Sequence, residues 1–202
     1  MPSPFLLSTV WSSQYFLNFA QMNIRRATYD DIPRIMEICG QARLIMRSDG
    51  NMTQWTGGYP SEAVIKADID ECVGYVMEEE VEKAGETVET VEATVETVKD
   101  RRLDGYFAFI PGIEKTYLAI EGGQWVDGSK PYCTIHRLAS TTTSHGIAGA
   151  CFEWCWSQCR NIRIDTHSDN RIMRHCIEKF GFTYCGIIHL QNGDPRLAYQ
   201  KL

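Results

Sequence analysis

The most informative segment of the chain is residues 135–149, which read Ile-His-Arg-Leu-Ala-Ser-Thr-Thr-Thr-Ser-His-Gly-Ile-Ala-Gly. An apolar strand pattern ends here in a small, polar loop, and glycines then open an amphipathic helix. The first backbone N–H groups of a helix have no partner within the helix, and together with the helix dipole they favour an anion. The segment therefore predicts a site for a phosphate or diphosphate group.

The residues around this segment predict a strand–helix–strand unit. Strands are expected over 132–139 and 162–166, joined by a helix over 147–159, so the two strands should be parallel. Three cysteines recur every fourth residue of this helix, which predicts a packed stripe of small apolar side chains. No Cys-x-x-Cys pair occurs in the chain, and no metal is expected.

The rest of the chain alternates strand and helix patterns, which predicts an α/β (α+β) fold. Helices should begin near Asp30 and Pro60, and a last helix should be capped by Ser168 or Asp169 and end at Gly181. Further strands are expected over 23–27, 73–77, 106–110, 116–120, 182–189 and 196–201.

Length and composition predict a single domain over residues 22–202. The chain has 202 residues, of which 44% are hydrophobic, enough for one full core. Residues 1–21 are apolar and aromatic, but they are too polar for a membrane span and lack the basic start of a signal peptide. We expect them to form an N-terminal extension, which is either a mis-assigned start or an added arm that packs on the domain or on a partner. Reduced cysteines without an export signal predict a cytoplasmic protein.

The negative charge is concentrated in one segment. The net charge is −6, and residues 78–100 hold nine acids against two lysines. Their valine spacing fits one helix face, whereas their Thr and Val content favours strand. An elongated hairpin or a solvated insertion over about 78–102 therefore competes with an interaction helix. Residues 130–202 carry nine basic against five acidic residues, which suits an anionic ligand but not a nucleic-acid surface.

Two motifs resemble the GNAT superfamily of acyl-CoA-dependent N-acyltransferases. Arg137-Leu-Ala followed by Thr143-Ser-His-Gly-Ile-Ala148 is similar to the family's acyl-CoA loop, Arg/Gln-x-x-Gly-x-Gly/Ala. Asn170, followed by Ile172-Met173 and Glu178-Lys179-Phe180-Gly181-Phe182, is similar to the family's next helix and its exit into a strand. Two positions depart from the pattern. Thr143 stands where the family has Arg or Gln, and Ile177 stands where many members carry a Tyr that protonates the departing thiolate.

The resemblance implies a GNAT-like fold and acetyl-CoA as co-substrate. The sheet would be mixed and mostly antiparallel, with a central, splayed pair of parallel strands, and helices would flank it. The pantetheine arm would lie in the gap between these strands and the diphosphate on the loop amides. The residues implied in acetyl-CoA binding are Leu138, Ala139, Ser140, Ser144, His145, Gly146, Ile147, Ala148, Gly149 and Asn170.

The predicted reaction is transfer of an acetyl group to a primary amine of a small molecule or peptide by direct attack. An alkyl amine is mostly protonated at neutral pH, since its pKa is about 10.4, so a base must take its proton. Glu121, at the end of a predicted strand, and His136, on the strand beside the thioester, are the two candidates, each with an ordinary structural alternative.

The acceptor pocket is expected to be lined by aromatic loop residues, which favour an apolar or cationic amine. These residues are Trp55, Tyr59 and Trp125. Arg137 is expected either to bind an acceptor carboxylate or to pair with an acid of the core.

Two other functions fit the same sequence. A non-catalytic acyl-CoA-binding sensor or scaffold is compatible with Ile177 at the tyrosine position. An interaction protein would instead use the acidic residues 78–100 to dock a basic partner. The predicted partners include a second copy of the chain in a homodimer, but neither nucleic acid nor a membrane.

Overall fold

One seven-stranded sheet organises the part of the chain that the computed structural model describes, residues 22–82 and 99–202. The strands follow one another in the order β1-β2-β3-β4-β5-β7-β6. They are β1 (Met22–Arg26), β2 (Gly74–Glu82), β3 (Lys99–Pro111), β4 (Cys133–Ser140), β5 (Ile162–Thr166), β6 (Thr183–His189) and β7 (Pro195–Lys201). The helices are α1 (Ile32–Ser48), α2 (Glu62–Asp70), α3 (Ile147–Gln158) and α4 (Arg171–Lys179).

The central strands β4 and β5 form a parallel pair, whereas the other neighbouring strands are antiparallel. This confirms the mixed, mostly antiparallel sheet. The parallel pairing joins Cys133–Ile135 to Ile162–Ile164 and stops there. From His136 and Asp165 onward the two strands are unpaired with each other, so the sheet opens at its centre as expected.

A β-bulge in β4 accounts for this opening. Tyr106 of β3 pairs with Ala139, whereas Ala108 pairs with His136, so β4 carries one residue more than β3 over this stretch. Arg137 lies in the bulge with a φ of +57°, a left-handed conformation that costs a non-glycine residue about 1–3 kcal/mol. Because a bulge bends its strand, β4 turns away from β5 just beyond their last pair.

Helices cover both faces of the sheet. The first two helices bury Ile35, Ile38 and Ile65 against one face. On the other face, Cys151 and Cys155 of α3 are fully buried in a core shared with α4 and the central strands. The predicted cysteine stripe is therefore confirmed as packing, and burial raises the pKa of the Cys151 thiol well above its usual range.

Two local predictions are wrong. Residues 116–120 are not a strand, because the Glu114 side chain accepts hydrogen bonds from the N–H and hydroxyl of Thr116 and caps a 3₁₀ turn at Lys115–Tyr117. Side-chain bonds of this kind compete with strand pairing. The last helix is capped neither by Ser168 nor by Asp169. Instead, the Asn170 side chain accepts the N–H of Met173 at 3.1 Å.

Two predicted features lie wholly or partly outside the described residues. The N-terminal extension, residues 1–21, is one of them. The acidic insertion is the other, although its flanks are described and pair as antiparallel strands, with Glu79 opposite Arg102. Across 22–82 and 99–202, no helix combines the length and apolarity needed to cross a membrane.

Candidate active site

An open cavity of about 610 Å³ lies where β4 and β5 part. Its walls come from the unpaired ends of both strands, the loop between α1 and α2, the start of α4 and the turn between β6 and β7. Many of the residues predicted from the sequence meet here. They are Trp55, Tyr59, His136, Arg137, Leu138, Ala139, Ser140 and Asn170.

The loop that follows β4 leaves a row of backbone amides open at the start of α3. Ala150 is the first residue of this turn whose N–H is paired, donating to the carbonyl of Gly146 at 3.0 Å. Among the described residues, no protein group accepts a hydrogen bond from the N–H groups of 143–149. Gly146 precedes the helix with a φ of +77°, which glycine adopts without strain. The residues present therefore fit a diphosphate.

Core packing fixes the position of these amides. The Ile147 side chain is buried beneath them, and it reaches β3 because Gly105 has no side chain. A Cβ on Gly105 would lie 2.9 Å from Ile147 Cγ2. In the loop itself, the hydroxyls of Thr141 and Ser144 lie 2.5 Å apart. Thr143, at the position where the family has Arg or Gln, is exposed.

His136 stands between two carboxylates at the cavity wall. Its Nε2 lies 3.4 Å from Glu114 Oε2, and its Nδ1 lies 3.8 Å from Asp165 Oδ1. The hydrogen bond with His136 lowers the pKa of Glu114 to about 2, so this carboxyl is ionised throughout the physiological range. Tyr117 donates to Asp165 Oδ1 at 2.6 Å, and burial raises its own pKa well above the usual value. The arrangement suits a residue that accepts a proton and becomes cationic.

Arg137, next to His136, is held by Asp68 of α2. Asp68 accepts hydrogen bonds from Nε at 2.8 Å and from Nη2 at 2.6 Å, and a third from the Tyr106 hydroxyl at 2.6 Å. The pKa of the Tyr106 hydroxyl is raised, mainly by burial and next by the charge of Asp68. Of the two roles predicted for Arg137, the structure shows the pairing with a core acid. Its Nη1 faces the Tyr59 hydroxyl at 3.4 Å.

The loop between α1 and α2 closes the cavity from one side. Trp55 and Tyr59 contact each other edge to face there, with ring centroids 6.1 Å apart. Gln54 ties this loop to α4, because its Oε1 accepts from Asn170 Nδ2 at 3.0 Å and from the buried Asn51 at 2.7 Å. Asn170 also caps α4, so one of its two amide hydrogens remains for a ligand.

Two predicted residues do not line the cavity. Glu121 is exposed and faces His189, with 3.3 Å between the carboxylate and Nε2. Trp125 donates to the carbonyl of Tyr117 at 3.0 Å and lies 4.0 Å from the guanidinium of Arg163. Trp125 therefore does not line the predicted acceptor pocket, and Glu121 does not lie where a base for the amine is expected, because each is held by partners elsewhere in the fold.

Three acids of this region were not singled out by the sequence patterns. Asp165 follows the apolar residues of β5 at its cavity end, and Asp68 lies three residues from the fully buried Ile65 on the core-facing side of α2. A charge at such a position signals a buried partner. Glu114 gives no comparable signal, since it lies in an irregular stretch after a turn.

The chain is similar to solved acetyltransferase structures. A GNAT-family acetyltransferase from Streptococcus agalactiae is 31% identical, with a TM-score of 0.72 over 90% of this chain and 95% of that chain. One from Listeria monocytogenes is 18% identical, with a TM-score of 0.58 over 89% and 94%. The NatC complex bound to Gag peptide and CoA gives 12% identity and a TM-score of 0.51 over 90% and 99%. No family model and no curated protein matches the chain.

The similarity to the streptococcal protein extends over nearly the whole of both chains. The opened parallel strands and the free amides before α3 agree with the two motifs read from the sequence. The chain belongs to the GNAT family of acetyltransferases.

Proposed function

We propose that the protein is an N-acetyltransferase that moves the acetyl group of acetyl-CoA to a primary amine of a small molecule or peptide by direct attack. The main support is the opened strand pair, where β4 and β5 part and leave a cavity near a row of free amides. An extended arm can add to a free strand edge as a further strand would, while the amides receive a diphosphate.

Four residues at the cavity carry the proposed proton transfer and stabilise the charges that form. When bound, acetyl-CoA supplies a thioester whose carbonyl carbon bonds to the amine nitrogen as its C–S bond breaks. His136 takes the proton that the ammonium group must lose before it attacks. Glu114 and Asp165 stabilise the imidazolium that forms. We assign the N–H of Leu138, in the bulge, as the donor to the carbonyl oxygen as negative charge develops there.

The scheme needs no protein acid for the departing sulfur. Ile177, at the position where many family members carry a tyrosine, is fully buried in the core and exchanges no proton. A thiol has a pKa of about 8.5, so a thiolate leaves readily near neutral pH and takes its proton from water. The missing tyrosine is therefore compatible with catalysis.

The test is to follow free thiol while the pure full-length protein is incubated with acetyl-CoA and a panel of primary amines and peptides. We expect thiol release that depends on the amine, and one acetyl group gained by the amine in its mass spectrum. His136→Asn should lower kcat about 10²–10⁴-fold while CoA binding persists. Glu121→Gln, the matched control outside the cavity, should keep the wild-type rate.

Two results would contradict the proposal. Failure of the wild-type protein to bind CoA would remove its basis. CoA binding with no amine preference in thiol release would support the non-catalytic sensor or scaffold instead. A kcat in H136N equal to that of E121Q would keep acetyl transfer but reject His136 as the base.

A further inference from the structure

Arg196 is a buried cation in the wall of the active-site cavity. It is the second residue of β7, and it is 7% exposed. Its Nη1 donates to the carbonyl of Pro195 at 2.8 Å. Its ion-pair partner within the described chain is Asp194, whose carboxylate lies 3.8 Å from Nη2. The guanidinium therefore faces the cavity with most of its hydrogen-bonding capacity uncommitted.

Asp194 neutralises this charge weakly. Its side chain is 52% exposed, and the oxygen nearest Arg196 already accepts a hydrogen bond from Asn192 at 2.9 Å. The other arginine of the cavity wall, Arg137, differs in kind, because Asp68 binds it through two short hydrogen bonds. A buried guanidinium without a close anion is costly to the fold, and its planar fork matches a carboxylate. Arg196 therefore has the properties of a site for an anionic group of a ligand.

The sheet places this cation close to the proposed base. Asp165 of β5 pairs with Ala198 of β7, and Arg196 lies two residues before Ala198, so both side chains are on one face. Diagonal neighbours of this kind are about 7–8 Å apart. Asp165 in turn lies 3.8 Å from His136. A small molecule can therefore reach the guanidinium and the imidazole at the same time.

We infer that the acceptor is a small amine that carries a carboxylate, an amino acid in the broad sense, and that Arg196 binds the carboxylate. This inference rests on the proposed acetyl transfer. The ammonium end lies towards Glu114 and Asp165, and the carboxylate lies on Arg196. The reverse orientation would place like charges against each other. The cavity of about 610 Å³ also receives the acyl-bearing arm, which leaves room for a small acceptor.

The test compares amines that differ only in the charge of one group. Alanine and β-alanine are each paired with their carboxamides, and phosphoethanolamine supplies a phosphate in place of the carboxylate. We expect the wild-type enzyme to prefer each acid over its amide at least tenfold in kcat/KM. Arg196→Gln should raise KM for the acids about 10–100-fold, the range for a hydrogen-bonded charge, and change that for the amides less than threefold.

Two further variants separate recognition from folding. Arg196→Lys keeps the charge without the fork and should restore part of the preference. Arg160→Gln removes an exposed arginine that lies over the Trp156 ring, outside the cavity, and should leave every KM unchanged. Thermal shifts of the CoA-loaded protein report acceptor binding directly. The acids should raise the melting temperature of the wild type and not of R196Q.

Several results would overturn the inference. Equal kcat/KM values for acids and amides in the wild type would do so. An equal loss of kcat/KM for acids and amides in R196Q would also do so, because it would indicate that Arg196 has a structural role. A preference for phosphoethanolamine would reject the carboxylate in favour of a phosphate. Transfer to uncharged amines or peptides alone would reject it while the proposed acetyltransferase activity stands. Thiol release with no amine at all would reject both.

Discussion

Replacing Asp68 with asparagine tests whether a buried ion pair maintains the bulge at the active site. The substitution keeps the shape of the side chain and removes the charge opposite Arg137, whose side chain is 12% exposed. Breaking a buried pair from one side costs about 3–5 kcal/mol. Because three hydrogen bonds of 2.6–2.8 Å converge on Asp68, we expect a loss in the upper part of that range.

The bulge adds a second consequence for the cavity. The left-handed conformation of Arg137 costs about 1–3 kcal/mol, and the bond to Asp68 is what offsets it. Without the carboxylate, β4 can relax towards regular pairing and narrow the gap beside β5. Since 1.4 kcal/mol corresponds to a tenfold change in affinity, the KM for acetyl-CoA should rise about 5- to 100-fold in D68N.

Urea unfolding, monitored by tryptophan fluorescence, measures the loss in the free energy of unfolding. Asp70→Asn is the control. Asp70 lies on the same helix, but it is exposed and binds the Tyr29 hydroxyl, so its loss should cost less than about 1 kcal/mol. Arg137→Gln and the double variant complete a cycle, in which we expect a coupling of about 2 kcal/mol or more. A D68N loss no larger than that of D70N, or strictly additive losses in the cycle, would refute the reasoning.

Three further predictions concern the walls of the cavity. Glu114→Gln removes the anion 3.4 Å from His136 Nε2, which stabilises the imidazolium in the proposed transfer. It should lower kcat about tenfold, which corresponds to about 1.4 kcal/mol, and an unchanged kcat would count against the pair. Gln54→Ala leaves the side-chain amide of the buried Asn51 without its acceptor. Calorimetry should show a melting temperature lower by about 3–10 °C, and the KM for the amine should rise. His145→Glu puts an anion beside the free amides and should raise KM for acetyl-CoA about tenfold at low salt and less at high salt; H145Q, the uncharged comparison, should show a smaller rise.

The features that the sequence predicts well are local ones. The strand, loop and helix around residues 135–149 follow from hydrophobic period and glycine placement within a short window. Their parallel pairing follows from the connection alone. The cysteine stripe of α3 is also a local feature, since its spacing matches one helix face. Its packing in the core could therefore be predicted without knowledge of the rest of the fold.

The partners of the site residues were harder to predict because they are distant in the chain. Arg137 and Asp68 are 69 residues apart, and sequence pattern left open whether the arginine binds a ligand or an acid. Trp55 and Trp125 both lie in polar loops, yet the first lines the cavity and the second stacks on Arg163. Both loops are rich in polar residues and glycine, so tertiary contacts decide the difference.

The bulge also explains how two consecutive residues serve one cavity. In a regular strand, neighbouring side chains point to opposite faces, and Ile135 and Leu138 indeed pack into the core beside α3. His136 and Arg137 lie between them, and both face the other side, towards Asp165 and Asp68 respectively. The extra residue makes this possible, since a bulge redirects a side chain without breaking the strand. The bulge at Arg137 therefore accompanies the opening of the sheet and also allows His136, the proposed base, to share one side of the cavity with Arg137.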